Sequence, residues 1–419
     1  MTYNTIVIGG GLSGLFAAAL TAKAGKKVLV LTLGAGSLTI ASGTIDLLGY
    51  INNKTPLVDP YKALENLPAN HPYQKIDSAN IQAACNEFQS FVAAAGYPYL
   101  GTTEKNNWLI TAAGTLKPTC LYPKTMQTNL LKNTNALFVL GIIGLKDYYP
   151  ELLQKNLTNY LPTAANASCK LIHMANAENR DISVLDVARW LDTIDGRVSF
   201  IKQVKEHIPE GSTIIVPPIF GTAPNYDIFD EISRATHCSL VETVTMPPAI
   251  SGLRLRNLLL QYLNDNNVRI VEKANVTRSE ITNKTCTAIF TSGIDRERKY
   301  TAEHYLLATG GFYGGGINCT PQGANEPIFS IPVKMPDNIA EWSNPTLFSD
   351  KPQPYACAGI NVNNTLQPLD DLGNVLLKNV RIIGRNLAGY DYCYEKSGNG
   401  VAIASAYKAT KLSTGGELN

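Results

Sequence analysis

The feature that most constrains this chain is the glycine turn Gly9-Gly10-Gly11-Leu12-Ser13-Gly14, which directly follows Thr5-Ile-Val-Ile8. The β-branched residues predict a short buried strand. The Leu- and Ala-rich run from Leu12 to Ala24 predicts a helix, and Gly25 is placed to end it. Val28-Leu-Val-Leu31 predicts a second strand, so strand, turn, helix and strand follow in about thirty residues, the context that G-x-G-x-x-G spacing requires. Gly9 allows the tight turn, Gly11 lets a phosphate approach the backbone, and Gly14 lets helix and strand pack closely. The helix N-terminus offers free N–H groups and a partial positive charge to that phosphate. Residues 9 to 14 are therefore the first candidate binding residues.

One expected part is missing. Dinucleotide-binding units usually end the second strand with a carboxylate that accepts from the adenosine ribose. Here the strand ends Leu31-Thr32-Leu33-Gly34, and no basic residue stands there to meet a 2′-phosphate. The phosphate cradle is complete and the adenosine clamp is weakened.

Composition excludes several classes. In 419 residues, 36 basic side chains face 34 acidic ones for a net charge of +2, with no long block of like charge. That argues against a dedicated nucleic-acid surface. No two of the eight cysteines form a C-x-x-C pair, so no metal or iron–sulfur site is expected within the chain. The sequence enters a strand at once, which predicts no signal peptide, and scattered thiols without one fit a reducing cytoplasm. Apolar runs such as Ala136–Leu145 reach only about ten residues, too few for a transmembrane segment, so any membrane role must go through a partner.

Further along, Ala41-Ser42-Gly43-Thr44-Ile45-Asp46-Leu47 has small residues past which a ligand could lie, with Ser42 and Gly43 as candidate contacts; an ordinary loop explains the composition equally well. Ile81–Ala95 has helical spacing. From 136 to 245, strand runs at Phe138–Ile143, Cys169–His173, Thr213–Val216 and Leu240–Thr245 alternate with helices at Tyr149–Tyr160, Val184–Leu191 and Ile201–His207. This is α/β architecture without a second glycine fingerprint, and it reads as an inserted domain. In the helix after Pro247-Pro248, Arg254 and Arg256 flank the apolar face; a solvated flank is the expected fate, an anionic substrate the alternative. Tyr305-Leu-Leu-Ala-Thr-Gly-Gly311 ends a second strand in small residues, making Thr309, Gly310 and Gly311 candidates for close backbone approach. The closing stretch repeats the logic with Gly384, then Gly398, Asn399 and Gly400 before a helix Val401–Lys408, with Asn399 as its expected cap. A terminal packing helix is the alternative there. No His or carboxylate stands out as an acid–base pair, so catalytic residues stay unassigned.

Three backbone-approach sites in this order resemble the flavoproteins built on a glutathione-reductase-like flavin domain. More narrowly, the chain resembles the B-subunit family of bacterial anaerobic glycerol-3-phosphate dehydrogenases. The residues that carry this are Ile8–Leu15, Ser42–Leu48, His71-Pro-Tyr73, Gly114-Thr-Leu116, Phe220-Gly221, Gly252-Leu-Arg254 and Glu326-Pro-Ile328. The resemblance implies an α/β fold with a Rossmann-like flavin-binding domain of residues 1–50, 246–325 and 355–419. An inserted α/β domain would comprise 51–245 and 326–354. It implies FMN as cofactor, with FAD the alternative: the missing carboxylate suits FMN, while the domain plan suits FAD. It further implies oxidation of glycerol 3-phosphate to dihydroxyacetone phosphate, with electrons passed to quinone and then to fumarate or nitrate. The implied partners are a catalytic, flavin-bearing A subunit and a membrane-associated iron–sulfur C subunit, which would hold this chain at the cytoplasmic face of the membrane. Two other readings are a stand-alone flavin oxidoreductase of different substrate and a structural subunit that has lost its cofactor.

Overall fold

The computed structural model describes residues 2–51, 55–134, 136–174, 177, 180–245, 247–293, 296–346 and 351–416. In chain order its main strands are β1 (Tyr3–Ile8), β2 (Val28–Thr32), β3 (Leu137–Ile142), β4 (Ser168–Ile172), β5 (Thr213–Val216), β6 (Ser239–Glu242) and β7 (Arg269–Glu272). They continue as β8 (Val276–Thr282), β9 (Thr285–Thr291), β10 (Arg298–Tyr300), β11 (Ala302–Leu307) and β12 (Val380–Ile382). Four helices matter for the site: α1 (Leu12–Lys23), α2 (Ser78–Ala94), α3 (Ile250–Asp265) and α4 (Gly398–Thr414).

A parallel sheet in the order β7-β2-β1-β11-β12 presents the glycine turn. Its central strands run apolar toward their carboxyl ends, Ile6–Ile8, Val28–Leu31 and Tyr305–Leu307, all of them buried. Register then decides what meets at its edge. Ile8 lies opposite both Leu31 and Leu307, Glu272 opposite Thr32, and Leu307 opposite Ile382. All five strands end level, so the segments after them emerge along one carboxyl edge, where open α/β sheets hold ligands. On one face, α1 and α4 pack closely through small residues, among them Ala17, Ala18, Ala404 and Ala406, all fully buried. Phe88 and Phe91 of α2 meet Phe16 edge-on, with ring centroids 5.7 and 5.9 Å away.

A second parallel sheet, β6-β5-β3-β4, has its own core that includes Val139, Leu140, Leu191, Phe200 and Ile215. The antiparallel β8-β9-β10 sheet fills the chain between β7 and β11. Of the strands expected from 136 to 245, Thr213–Val216 forms with those bounds, Phe138–Ile143 and Cys169–His173 each form one residue earlier, and Leu240–Thr245 forms as Ser239–Glu242. The helix expected at Ile201–His207 starts earlier, at Ile194, because the Thr193 hydroxyl accepts from the Gly196 N–H. Side chains from 63 to 99 and Ile328, Phe329 and Ile331 join the first core, while the second core draws on residue 110 and 131–250. Met246, set to begin a domain segment, lies outside the described residues, as do 52–54, 347–350 and the terminal 417–419. Among the described residues no helix is long and apolar enough to cross a membrane.

Candidate functional site

The turn after β1 is built by glycine geometry. Gly9 has φ +127, and a Cβ there would collide with the Ala308 carbonyl oxygen; one on Gly14 would collide with the Gly9 oxygen. Gly11 is different. It caps α1 with φ −82 in extended backbone, and a Cβ on it would meet nothing within 4 Å. No side chain caps α1, and its first turn carries no acidic residue. The unbonded N–H groups of that first turn therefore face open space, as an anion cradle requires.

That space is one cavity of about 470 Å³ along the carboxyl edge of the first sheet. It is lined by Gly9 to Ser13, by Leu33 and Gly34 after β2, and by Ala274 to Val276 after β7. Thr309 to Gly316 after β11, Arg385, Tyr390 and Tyr392, and Gly398, Asn399 and Ala402 of α4 add to the wall. Of the expected contact residues, Gly9, Gly10, Gly11, Leu12, Ser13, Thr309, Gly310, Gly311, Gly398 and Asn399 line this cavity.

Five others have packing tasks and do not line it. Gly14 lets α1 close on the turn. Gly384, at φ +65, admits the Ser13 side chain, whose Oγ would lie 2.5 Å from a Cβ. Gly400 faces the Tyr73 hydroxyl and the Asp46 carbonyl. Gly43, at φ +72, lies against the Ser251 backbone, 2.6 Å from where its Cβ would be. Ser42 accepts from Ser251 Oγ through its carbonyl and pairs with Thr44 by its hydroxyl, at 2.8 Å in the latter bond. The loop 38–43 is thus pressed onto the start of α3 backbone to backbone, which is why small residues occur there. Asn399 is not the cap of the last helix. Ser397 holds that position, and Asn399 Nδ2 donates to the Thr44 carbonyl at 2.7 Å.

At the end of β2, the buried Thr32 hydroxyl donates to the Gly34 carbonyl at 2.6 Å, so its proton is committed within the turn. Asn386, which no sequence motif marks, joins two cavity walls. The Gly310 N–H donates to Asn386 Oδ1 at 2.8 Å, and Asn386 Nδ2 donates to Thr309 Oγ1 at 3.0 Å.

Arg254 corrects the expectation of a solvated flank. Its side chain is 1% exposed. Nη1 and Nη2 donate to the two oxygens of Glu242 at 2.8 and 3.0 Å, and Nε donates to the Gly221 carbonyl at 2.9 Å. Burial pushes the Glu242 carboxyl up, but Arg254 and its hydrogen bonds outweigh this and hold it below the usual carboxylate range. With its guanidinium so engaged, Arg254 ties α3 to the second sheet and is not a free anion site. Arg256, partly exposed, donates from Nε to the Ala35 carbonyl at 3.2 Å.

Two polar contacts are illegible in sequence because their partners are far apart in the chain, and a third is local but buried by the fold. His71 Nδ1 accepts from the Tyr73 N–H at 3.1 Å, which leaves the ring proton on Nε2, 3.0 Å from Glu395 Oε2. Lys117 meets Asp46 behind the start of α4. Glu326 is buried, with no cation paired to it among the described residues; its two oxygens accept from the Ile328 and Phe329 N–H groups at 2.9 and 2.7 Å, fixing the turn that sets Pro327 and Ile328 in the cavity wall.

Burial raises the Glu326 carboxyl above its ordinary value, the backbone bonds opposing this only in part. The fold therefore favours its protonated form, and the stability this contributes is present at acid pH and lost as pH rises through the raised value. Glu326→Gln cannot titrate, and it turns an amide NH₂ toward one of the backbone donors. The variant should be less stable than the parent, by a margin that narrows as pH rises from about 4 toward neutrality. Urea unfolding at a series of pH values measures this; a margin that widens with pH contradicts the assignment.

A family model described as FAD binding domain matches residues 4–401. The chain is 27% identical over 428 residues to the B subunit of anaerobic glycerol-3-phosphate dehydrogenase from Vibrio cholerae serotype O1, covering 98% of this chain and 96% of that protein. It is 28% identical over 422 residues to a probable B subunit of the same dehydrogenase from Halobacterium salinarum, with coverages of 97% and 96%. Among solved structures, 3-ketosteroid delta1-dehydrogenase from Sterolibacterium denitrificans covers 99% of both chains at 12% identity, with a TM-score of 0.47. The motif resemblance read from scattered residues thus extends over nearly the whole chain in the curated relatives.

Proposed function

This chain belongs to the family of FAD binding domains, and from that membership we propose that it is the flavin-carrying B subunit of an anaerobic glycerol-3-phosphate dehydrogenase. The observation that carries this reading is the curated relatives' shared name over 97–98% of the chain. A helix N-terminus with no side-chain cap and the open space at Gly11 suit the phosphate such a cofactor bears. The complex would oxidise glycerol 3-phosphate to dihydroxyacetone phosphate and pass electrons to quinone, with fumarate or nitrate as terminal acceptor. A catalytic, flavin-bearing A subunit and an iron–sulfur C subunit would be its partners, the latter holding it at the cytoplasmic face of the membrane.

Gly10, Gly11, Leu12 and Ser13 would hold the phosphate by backbone N–H groups. Thr309 to Gly311, kept in place by Asn386, and the α4 terminus at Gly398 and Asn399 would bring backbone against the ring. A bound flavin supplies an acceptor for a two-electron hydride that can release electrons singly. Among the described residues no group of three or more His, Cys, Asp or Glu side chains could hold a metal, so onward transfer fits a partner.

Of the two flavins, the length of the cavity supports FAD, since it continues beyond the glycine turn to Leu33, Gly34 and Asn275. The FMN reading keeps one observation in its favour: Thr32 stands in place of a ribose-binding carboxylate and spends its proton on Gly34. Absorption spectra of the purified chain, with chromatography of the released cofactor, decide between them. FAD is the expected result, FMN supports the shorter reading, and a colourless protein that takes up neither leaves the reading of a structural subunit. Robust oxidation of glycerol 3-phosphate by the chain alone would favour a self-sufficient oxidoreductase.

A further inference from the structure

Behind the end of the cavity that α4 lines, two charged side chains meet. Lys117, on the strand Leu116–Thr119, pairs through its ammonium with Asp46 Oδ1, and the same nitrogen donates to Thr44 Oγ1 and Thr119 Oγ1, both at 3.0 Å. Thr119 in turn donates to Asp46 Oδ1 at 2.9 Å. All three ammonium donors are used. The Lys117 and Asp46 side chains are 15% and 13% exposed, so solvent screens the pair only in part.

The segment bearing Asp46 is clipped to the first turn of α4 at two points. Asn399 Nδ2 donates to the Thr44 carbonyl at 2.7 Å, and the Gly400 N–H donates to the Asp46 carbonyl at 3.1 Å. Gly398 and Asn399 of that same turn line the cavity. The ion pair therefore stands one layer behind the helix terminus that faces the cavity. Its charges cancel, so removing either member leaves a charge of opposite sign at nearly the same spot.

We infer that Lys117 and Asp46 are positioning residues that set the reduction potential of a flavin held in this cavity, acting through the first turn of α4. The inference rests on the flavin-binding reading above. Two-electron reduction with uptake of one proton adds one negative charge to the ring. A partly dehydrated cation nearby favours that charge, and an uncompensated carboxylate opposes it.

The test compares the flavin potential of the wild-type holoprotein with those of three variants, measured by spectroscopic equilibration against a reference dye. Lys117→Met leaves Asp46 uncompensated and should lower the potential by about 30 mV, a tenfold change in the two-electron equilibrium. Asp46→Asn leaves the ammonium uncompensated and should raise it. Lys117→Arg keeps the charge and should stay close to the wild type. A mere staple between the loop and the strand would lose stability and flavin retention from either side, without potentials moving in opposite directions. Potentials that do not move, or that move with the same sign in the Met and Asn variants, overturn the inference and leave the flavin reading standing. If Lys117→Met does not fold, Asp46→Asn decides alone: a rise supports the inference, and no rise overturns it. A wild-type chain that takes up no flavin overturns both.

Discussion

Gly11→Val should give a folded protein that no longer retains flavin. Gly11 has ordinary extended φ and ψ, and nothing lies within 4 Å of where its Cβ would be, so the backbone and the core do not oppose the substitution. The fold should lose only about 1 kcal/mol, the usual cost of an apolar residue at a helix N-cap. The space the new side chain enters is the space a phosphate needs. Each charge-assisted hydrogen bond lost is worth about 1.5–3 kcal/mol, and losing one or two weakens binding about a hundredfold. Gly9→Ala makes the control with the opposite signature. Its φ of +127 and the collision with the Ala308 carbonyl should destabilise the sheet edge itself, lowering soluble yield before binding is in question. Thermal unfolding and flavin titration of both variants measure this. A Gly11→Val protein of full yellow colour would put the site elsewhere.

Arg254→Met should be the most destabilising single change outside the glycine turn. It strands the Glu242 carboxylate in a fully buried setting, a loss of about 3–5 kcal/mol by comparison with other broken buried pairs. The pH dependence has a definite sign. In the parent, Glu242 is held low, so its contribution is present at neutral pH and falls away only as pH drops through that lowered value. In the variant, the unpaired carboxyl is pushed up and protonates readily. The stability gap should therefore be widest near neutral pH and shrink on acidification. Adding Glu242→Gln to Arg254→Met should recover part of the loss. Urea unfolding of the single and double variants tests all three statements. Unchanged stability with a weakened apparent affinity for glycerol 3-phosphate would show instead that Arg254 reaches the substrate.

How much was legible in the sequence follows from the range over which each feature is encoded. The opening strand, turn, helix and strand are specified by neighbours: β-branched runs, glycines at fixed spacing and a Leu/Ala helix leave a local chain few other choices. For the same reason three strands of the second sheet are legible to within a residue, while the fourth stops at Glu242, three residues short of its expected end. The glycines were recognised as places of close approach, but their partners were not. Gly11 faces a cavity, whereas Gly14, Gly43, Gly384 and Gly400 face other protein atoms, and one residue letter serves both uses.

What only the tertiary structure decided is which distant segments meet. The level ends of β1, β2, β7, β11 and β12 follow from sheet register, which is set by packing across the whole sheet. Arg254 looked solvated because its helix taken alone has a polar flank, and the second sheet then covers that flank with Glu242 and the Gly221 carbonyl. Asp46 with Lys117 and His71 with Glu395 are likewise pairs made by folding, since each carries little meaning until its partner arrives from far along the chain. Local geometry is written in adjacent residues, whereas the burial of a charge depends on what the rest of the chain brings to it.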